Sequence, residues 1–216
     1  MDAVRVALLR EVLAGTEWLG ATRHFAGTLR GSVVSHGGGL LLVGTPAYEP
    51  WHLAAHLADE AAWSGTPELA PTLVRHDARP SDPAHLSVGL GRLEAARRGE
   101  TLLVVAPGET AGEALGEAAG EAAGKVAAPL LERVCDARRA GATVLSLGPG
   151  EGELPAMAHE VLPVPDGSEL DLDTVQHLVS AAAGENALPA RRGPRRFRDR
   201  LSRLADLLTA PPPTRW

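Results

Sequence analysis

Two histidines of this sequence have the spacing of a metal-ligand pair. His52 and His56 are four residues apart in a stretch with a helical pattern of apolar residues, so their imidazole rings lie on one face of the predicted helix. Imidazole nitrogens are common zinc ligands, and two rings one turn apart can hold the same ion. The pair therefore predicts a zinc site, and the alternative is a pair of partly exposed surface histidines.

Two glycine-bearing loops each follow a short apolar run. The runs are Leu40–Val43 and Thr101–Val105, and continuous apolar runs of this length are typical of strands buried on both faces of a parallel sheet. At the carboxyl ends of such strands, N–H groups of the loops can bind a phosphate. We therefore expect an anion site where the loops meet, and the predicted ligand-binding residues are Gly44, Thr45, Tyr48, Gly108, Glu109 and Thr110.

Aromatic side chains gather around the first of these loops and the helix after it. Tyr48, Trp51 and Trp63 all lie there, although aromatic residues make up only 3% of the chain. Rings in such a place either stack on a ligand or fill the core or a subunit interface. The sequence leaves both interpretations open.

The alternation of apolar runs and helical patterns predicts the fold class. Strands separated by helical stretches of ten or more residues need crossover connections, which produce a parallel sheet flanked by helices. We expect an α/β protein, a three-layer α-β-α sandwich with a mainly parallel sheet, preceded by N-terminal helices. Further strands are predicted at 72–75, 143–147 and 161–164, and helices at 3–35, 50–63, 84–98 and 175–183.

Length and cysteine content bound the class of protein. A chain of 216 residues suits one α/β domain with extensions. Cys135 is the single cysteine, so no intramolecular disulfide can form, and a reducing compartment is expected. No uninterrupted apolar run suggests a secretory signal or a membrane span. We therefore expect a cytoplasmic protein without stable membrane insertion.

The charge is divided unevenly along the chain. Residues 191–216 hold eight arginines against two aspartates, so the net charge of -6 leaves the remainder near -12 (13 basic against 25 acidic residues). An acidic body argues against nucleic-acid binding by the main domain. The basic stretch 195–210 has an amphipathic pattern. Such a segment can lie on an anionic membrane or fill the groove of a partner, and the alternative is that it docks onto the acidic body.

A glycine repeat occupies the region after the second loop. Gly112, Gly116, Gly120 and Gly124 recur every four residues, with glutamates in step. On a helix this spacing makes a small-residue groove that suits close packing or an oligomer interface. The alternative is a flexible insertion, because each interior glycine costs a helix about 0.8–1.0 kcal/mol relative to alanine.

The stretches 98–110, 137–145 and 154–165, in this order and spacing, resemble the sugar-isomerase (SIS) domain family. A flavodoxin-like or SIS-like sheet is what the resemblance implies. It also implies a phosphorylated sugar as ligand. Val105 and Pro107 stand where the family has two phosphate-binding serines, so catalysis is less expected than binding. The similarity covers roughly residues 38–183 and rests on 98–110, 137–145 and 154–165.

Within that family the histidine helix is distantly similar to that of the phosphoheptose isomerases. His56 stands where that branch has a glutamate base. By the same resemblance a third member of the site is expected from the helix with Gln176 and His177, since the branch carries a glutamine and, eight residues on, a histidine. Gln176 matches the glutamine, whereas Gly184 occupies the histidine position. By this resemblance, His56 or Glu60 is the candidate catalytic base. Zinc is a candidate cofactor, held by His52 and His56, although the function does not require one.

Three functions follow as expectations. The first is a binder of a phosphorylated sugar or related carbohydrate derivative without efficient catalysis; the second is an aldose–ketose sugar-phosphate isomerase; the third is a non-catalytic structural or regulatory assembly protein. A homodimer or tetramer is expected, with no nucleic-acid partner. The predicted segments are packing helices at 1–37, an SIS-like domain at 38–188 with an insertion at 111–125, and a basic tail at 189–216.

Overall fold

A computed structural model of the chain describes residues 3–108, 126–165, 167–168 and 170–185. The predicted insertion and basic tail, and with them Glu109 and Thr110, lie outside the described residues. The strands are β1 (Leu40–Val43), β2 (Pro71–Val74), β3 (Thr101–Val105), β4 (Thr143–Gly148) and β5 (Glu160–Pro163). The described helices are α1 (Ala3–Val12), α2 (Glu17–His36), α3 (Trp51–Ser64), α4 (Gly91–Glu94), α5 (Ala128–Arg139), α6 (Glu153–Met157) and α7 (Leu172–Gly184), with a 3₁₀ turn at Pro67–Leu69.

The five strands form one parallel sheet in the order β2-β1-β3-β4-β5. All residues of β1 and β3 are buried, as expected for the inner strands of a sheet covered on both faces. Val43 pairs with Val74 on one side and with Val104 on the other. The chain thus leaves β1 toward β2 and then returns to β3 on the opposite side.

Helices cover both faces of the sheet and bury two apolar layers. Alternate strand residues point to opposite faces, so Leu42 and Leu103 join one core cluster while Val43 and Val104 join the other. The first cluster takes its helical residues from α2, α3 and α7, and the second from α4, α5 and α6. The predicted α/β class with helices on both sides of a parallel sheet is confirmed.

The N-terminal helix α2 is part of the first layer. Phe25, Leu29 and Val33 are buried and lie in the same cluster as the sheet residues. Their spacing of four residues places them on one face of the helix. The helix ends at Gly37, whose φ of 65° is the left-handed conformation typical of a glycine after a helix.

The predicted helix at 84–98 is wrong over most of its length. Helical structure there is confined to α4. The chain before α4 runs beside β2: Arg75 N donates to Val88 O at 2.8 Å, and Arg75 and Gly89 form an isolated parallel β-bridge. The apolar residues of this stretch therefore pack as an irregular edge segment. Among the described residues, no helix combines the length and apolarity that a membrane crossing needs.

Candidate metal and ligand site

The site lies at the carboxyl end of β1, where the strand order reverses. Because β2 and β3 flank β1 on opposite sides, the loops that follow β1 and β3 diverge from a common edge, which is where open α/β sheets bind ligands. The two strands pair in register up to Val43 and Val104. The loop that begins at Gly44 therefore starts beside the one that begins at Ala106.

A tight turn follows β1 and needs glycine at its start. Tyr48 N donates to Thr45 O at 3.1 Å, and a Cβ at Gly44 would lie 1.8 Å from Tyr48 O and 2.7 Å from Pro50 Cδ. His76 from the loop after β2 donates to Gly44 O at 3.0 Å. This packing folds the chain back after β1, so that α3 begins close to the carboxyl end of the strand.

Three histidines from two helices meet beside this turn. His52 and His56 of α3 face His177 of α7, and the three ring centroids are 4.3–4.6 Å apart. One ligand nitrogen from each ring lies within 4.8 Å of the others. The helical spacing predicted from the sequence places the first two rings together, and the packing of α3 against α7 adds the third.

The environment keeps two of these rings neutral. Burial lowers the pKa of His177 to about 4, with a further contribution from the neighbouring rings of His52 and His56. Burial also lowers the pKa of His56, and His52 adds to the effect. His56 Nε2 and His177 Nδ1 are buried without a hydrogen-bond partner. A neutral imidazole has one nitrogen with a free electron pair, and this is the donor that a metal ion requires.

The geometry fits a tetrahedral ion after a small closure. Zn–N bonds of about 2.1 Å separate neighbouring ligand nitrogens by about 3.4 Å, so the widest separation of 4.8 Å would shorten by about 1.4 Å. His52 is exposed whereas His56 and His177 are half-buried. Three histidine ligands with one side open to solvent leave a fourth position for water or a ligand oxygen.

A polar network joins the turn after β1 to α7. Gln176 Nε2 donates to Tyr48 Oη at 2.8 Å and to Asp173 Oδ1 at 3.3 Å. Burial raises the pKa of Tyr48 to about 12; the hydrogen bond from Gln176 lowers it, and Asp173 raises it further. The hydroxyl therefore stays protonated at neutral pH, and it lies 3.4 Å from Asp173 Oδ1.

Several predicted ligand residues gather at this end of the sheet. Thr45 is buried with an unpartnered Oγ1, and Gln176 is buried with an unpartnered Oε1. Tyr48 is half-buried, and its hydroxyl accepts a hydrogen bond from Gln176. Gly108 is buried just beyond the end of β3. Whether these residues bind a ligand stays a prediction, as it does for Glu109 and Thr110.

The candidate base Glu60 lies one turn further along α3, against the end of α7. A Cβ placed on Gly184 would fall 1.8 Å from Glu60 Oε2, so Glu60 occupies the space that a side chain at 184 would need. Trp51 and Trp63 are 40% and 67% exposed, which places both outside the core. The resemblance predicted a third member from the helix of Gln176 and His177, but it matched the histidine position to Gly184 rather than to His177.

Comparisons with known proteins identify a distant structural likeness. The sugar isomerase domain of an RpiR transcription factor from Sphaerobacter thermophilus superposes with a TM-score of 0.46 at 14% identity, over 86% of this chain and 84% of that one. No family model matches the chain, and no curated protein matches it. A likeness this distant assigns no function, and the site must be interpreted from its own residues.

Proposed function

We propose that this protein binds zinc through His52, His56 and His177 and uses the bound ion to hold a phosphorylated sugar or related carbohydrate derivative, without efficient turnover. The observation that carries the proposal is the convergence of three histidine nitrogens within 4.8 Å. Two of the three rings offer a buried nitrogen that has no other partner. A metal ion accounts for both features, because each unpaired buried polar atom is otherwise a cost of about 1–3 kcal/mol.

The ligand position is supported by the edge that the histidines share with the turn after β1. The open side of a three-histidine site is where a hydroxyl or carbonyl oxygen of a sugar would coordinate the ion. The unpartnered hydroxyl of Thr45 and the adjacent starts of the loops after β1 and β3 support a phosphate subsite nearby. When bound, the ion would polarise the coordinated oxygen.

Weak or absent turnover is proposed because the groups that could transfer a proton have other roles. His56 would be a zinc ligand, and its unpaired nitrogen would then no longer accept a proton. Glu60 lies against Gly184, one turn along α3 from His56. Pro107 is buried at the end of β3 and offers no N–H group to a phosphate.

An aldose–ketose isomerase is the second candidate, and the lowered pKa of His56 favours it. Because burial and His52 lower the pKa of His56, the ring favours its neutral form, which can accept a proton. In this case His56, or Glu60 after a side-chain movement, would abstract a proton from the sugar. The two candidates differ in whether a bound sugar exchanges hydrogen with solvent.

Calorimetric titration of the chelator-treated protein with zinc tests the metal site. We expect one ion per chain, and we expect His177→Gln to weaken binding by more than the 10–100-fold that changes around a metal site typically cost. His85→Gln is the matched control, because His85 is exposed and outside the cluster. Equal affinities of the wild type and His177→Gln would refute the site.

A thermal-shift panel of sugar phosphates, with and without zinc, tests the ligand. A compound at 100 times its Kd stabilises the folded state by about 2.7 kcal/mol, and we expect such a shift only in the zinc-loaded protein. Solvent deuterium exchange into a bound sugar, followed by NMR, would favour the isomerase. No shift by any member of the panel would leave a metal site without the proposed ligand.

A further inference from the structure

The first turn of α3 carries His52 and has no cap of its own. Its N-cap position is Pro50, which makes no side-chain hydrogen bond, and no acidic residue lies in the first turn. The first N–H groups of a helix lack intrahelical acceptors, and an uncapped start loses about 1 kcal/mol relative to a capped one. Contacts from outside the helix must therefore fix the position of His52.

Arg75 supplies these contacts on both sides of Pro50. Its Nε donates to Glu49 Oε2 at 3.0 Å, and its guanidinium carbon lies 4.8 Å from the centroid of the Trp51 ring. Trp51 N donates in turn to Glu49 O at 2.8 Å. One guanidinium thus contacts Glu49 and Trp51, the residues on either side of the N-cap Pro50.

Arg75 itself is fixed from the opposite side. It directly follows β2, and its Nη1 donates to Asp82 Oδ2 at 2.9 Å and to Leu86 O at 3.3 Å. The side chains of Arg75, Glu49 and Asp82 are only 18%, 17% and 23% exposed. Partly buried pairs are screened by salt much less than surface pairs, so the guanidinium is a firm link between the sheet and the start of α3.

We infer that Arg75 is a positioning residue for the three-histidine site, acting through His52. It holds Trp51, and the next residue is the exposed histidine that must approach the two half-buried ones. The inference rests on the proposed zinc site. Lysine cannot replace arginine here, because the contacts use a planar fork that bonds two carboxylates while its face stacks on an indole.

A double-mutant cycle on zinc affinity tests the inference. We expect Arg75→Lys to weaken zinc binding about 10-fold, as changes that orient a metal ligand typically do. In a His52→Ala background, Arg75→Lys should weaken binding no further, because the residue through which it acts is gone. Arg79→Lys is the matched control, since its pair with Asp77 is 69% and 76% exposed in the same loop. Additive effects of Arg75→Lys and His52→Ala would overturn the assignment.

Hydrogen exchange of the metal-free protein separates this inference from the zinc proposal. Arg75→Lys and Glu49→Gln should each speed the exchange of the amides of Trp51 and Ala54, which donate to Glu49 O and Pro50 O, whereas amides of β1 and β3 should keep their wild-type rates. Unchanged exchange of these two amides in both variants would overturn the positioning role whether or not zinc binds. A wild type that binds no zinc would defeat the proposed function, and the exchange rates would still decide whether Arg75 holds the helix start.

Discussion

Gln176 Nε2 lies 2.8 Å from Tyr48 Oη and 3.3 Å from Asp173 Oδ1. A carboxylate only accepts hydrogen bonds, so Asp173 fixes which end of the amide is the donor. Gln176 Oε1 is then left buried without a partner. The network thus ties the turn after β1 to α7 and leaves an unpaired acceptor on the residue that precedes His177.

The network can be followed through Tyr48, the single tyrosine of the chain. Burial raises its pKa to about 12, and Asp173 contributes to the increase. We expect the ultraviolet absorbance of the phenolate to rise with a midpoint near 12, and Asp173→Asn to lower the midpoint. Since the folded-state pKa is raised, stability should be complete below about pH 10 and decrease as the pH rises toward 12. A midpoint near 10 in the folded wild type would contradict the described contacts.

The sequence predicted the inner strands better than the edge segments. β1 and β3 have their predicted limits because their apolar runs are continuous, and only a strand covered on both faces tolerates such a run. The segment 84–90 has helix-compatible apolar spacing but lies beside β2, with Arg75 N bonded to Val88 O. Local pattern does not reveal that pairing, because the partner is distant in the sequence.

The candidate site shows the same limit. His52 and His56 could be paired from their helical spacing alone. His177 meets them only because α7 packs beside α3, and no periodicity in the sequence connects these helices. The resemblance directed attention to position 184, where the chain has glycine, and Glu60 fills the space beside it. Ligand sets that span two helices therefore need the tertiary structure.

The pH dependence of stability should report the neutral state of His177. Its pKa of about 4 lies below the ordinary value of 6.5, so between these values the unfolded chain binds a proton that the folded chain does not. The contribution of His177 to the free energy of unfolding of the metal-free protein should therefore be constant above pH 6.5. It should fall as the pH decreases toward 4. His177→Gln should flatten the fall in urea unfolding series, and His85→Gln should not. Identical slopes for all three proteins would show that His177 is not buried in this way.

The contact between Glu60 and Gly184 predicts a tolerant position. An alanine Cβ at 184 would lie 1.8 Å from Glu60 Oε2 and 2.9 Å from Glu60 Cβ. The carboxylate is the end of a flexible side chain and can turn away, so only a small shift of the two helices is needed to relieve the contact with Cβ. We expect Gly184→Ala to lower the free energy of unfolding by no more than about 1 kcal/mol in urea titration, since α7 also gains helix propensity. Combining it with Glu60→Ala should remove the clash with the carboxylate and leave only the close contact between the two Cβ atoms. A large loss that Glu60→Ala does not relieve would show that the backbone of α3 is the obstacle.

Position 44 should behave differently, because backbone obstructs it. A Cβ there would lie 1.8 Å from Tyr48 O, and the turn cannot open without breaking the bond from Tyr48 N to Thr45 O. We expect Gly44→Ala to cost about 1–3 kcal/mol of stability, as overpacking typically does. Gly27→Ala is the control: it is an exposed position of α2 with nothing within 4 Å of an added Cβ, so it should stabilise by up to about 1 kcal/mol.

Because the turn at Gly44 leads directly into α3, Gly44→Ala should also weaken zinc binding, whereas Gly27→Ala should leave it unchanged. Loss of stability without loss of zinc affinity would mean that α3 keeps its position when the turn is distorted.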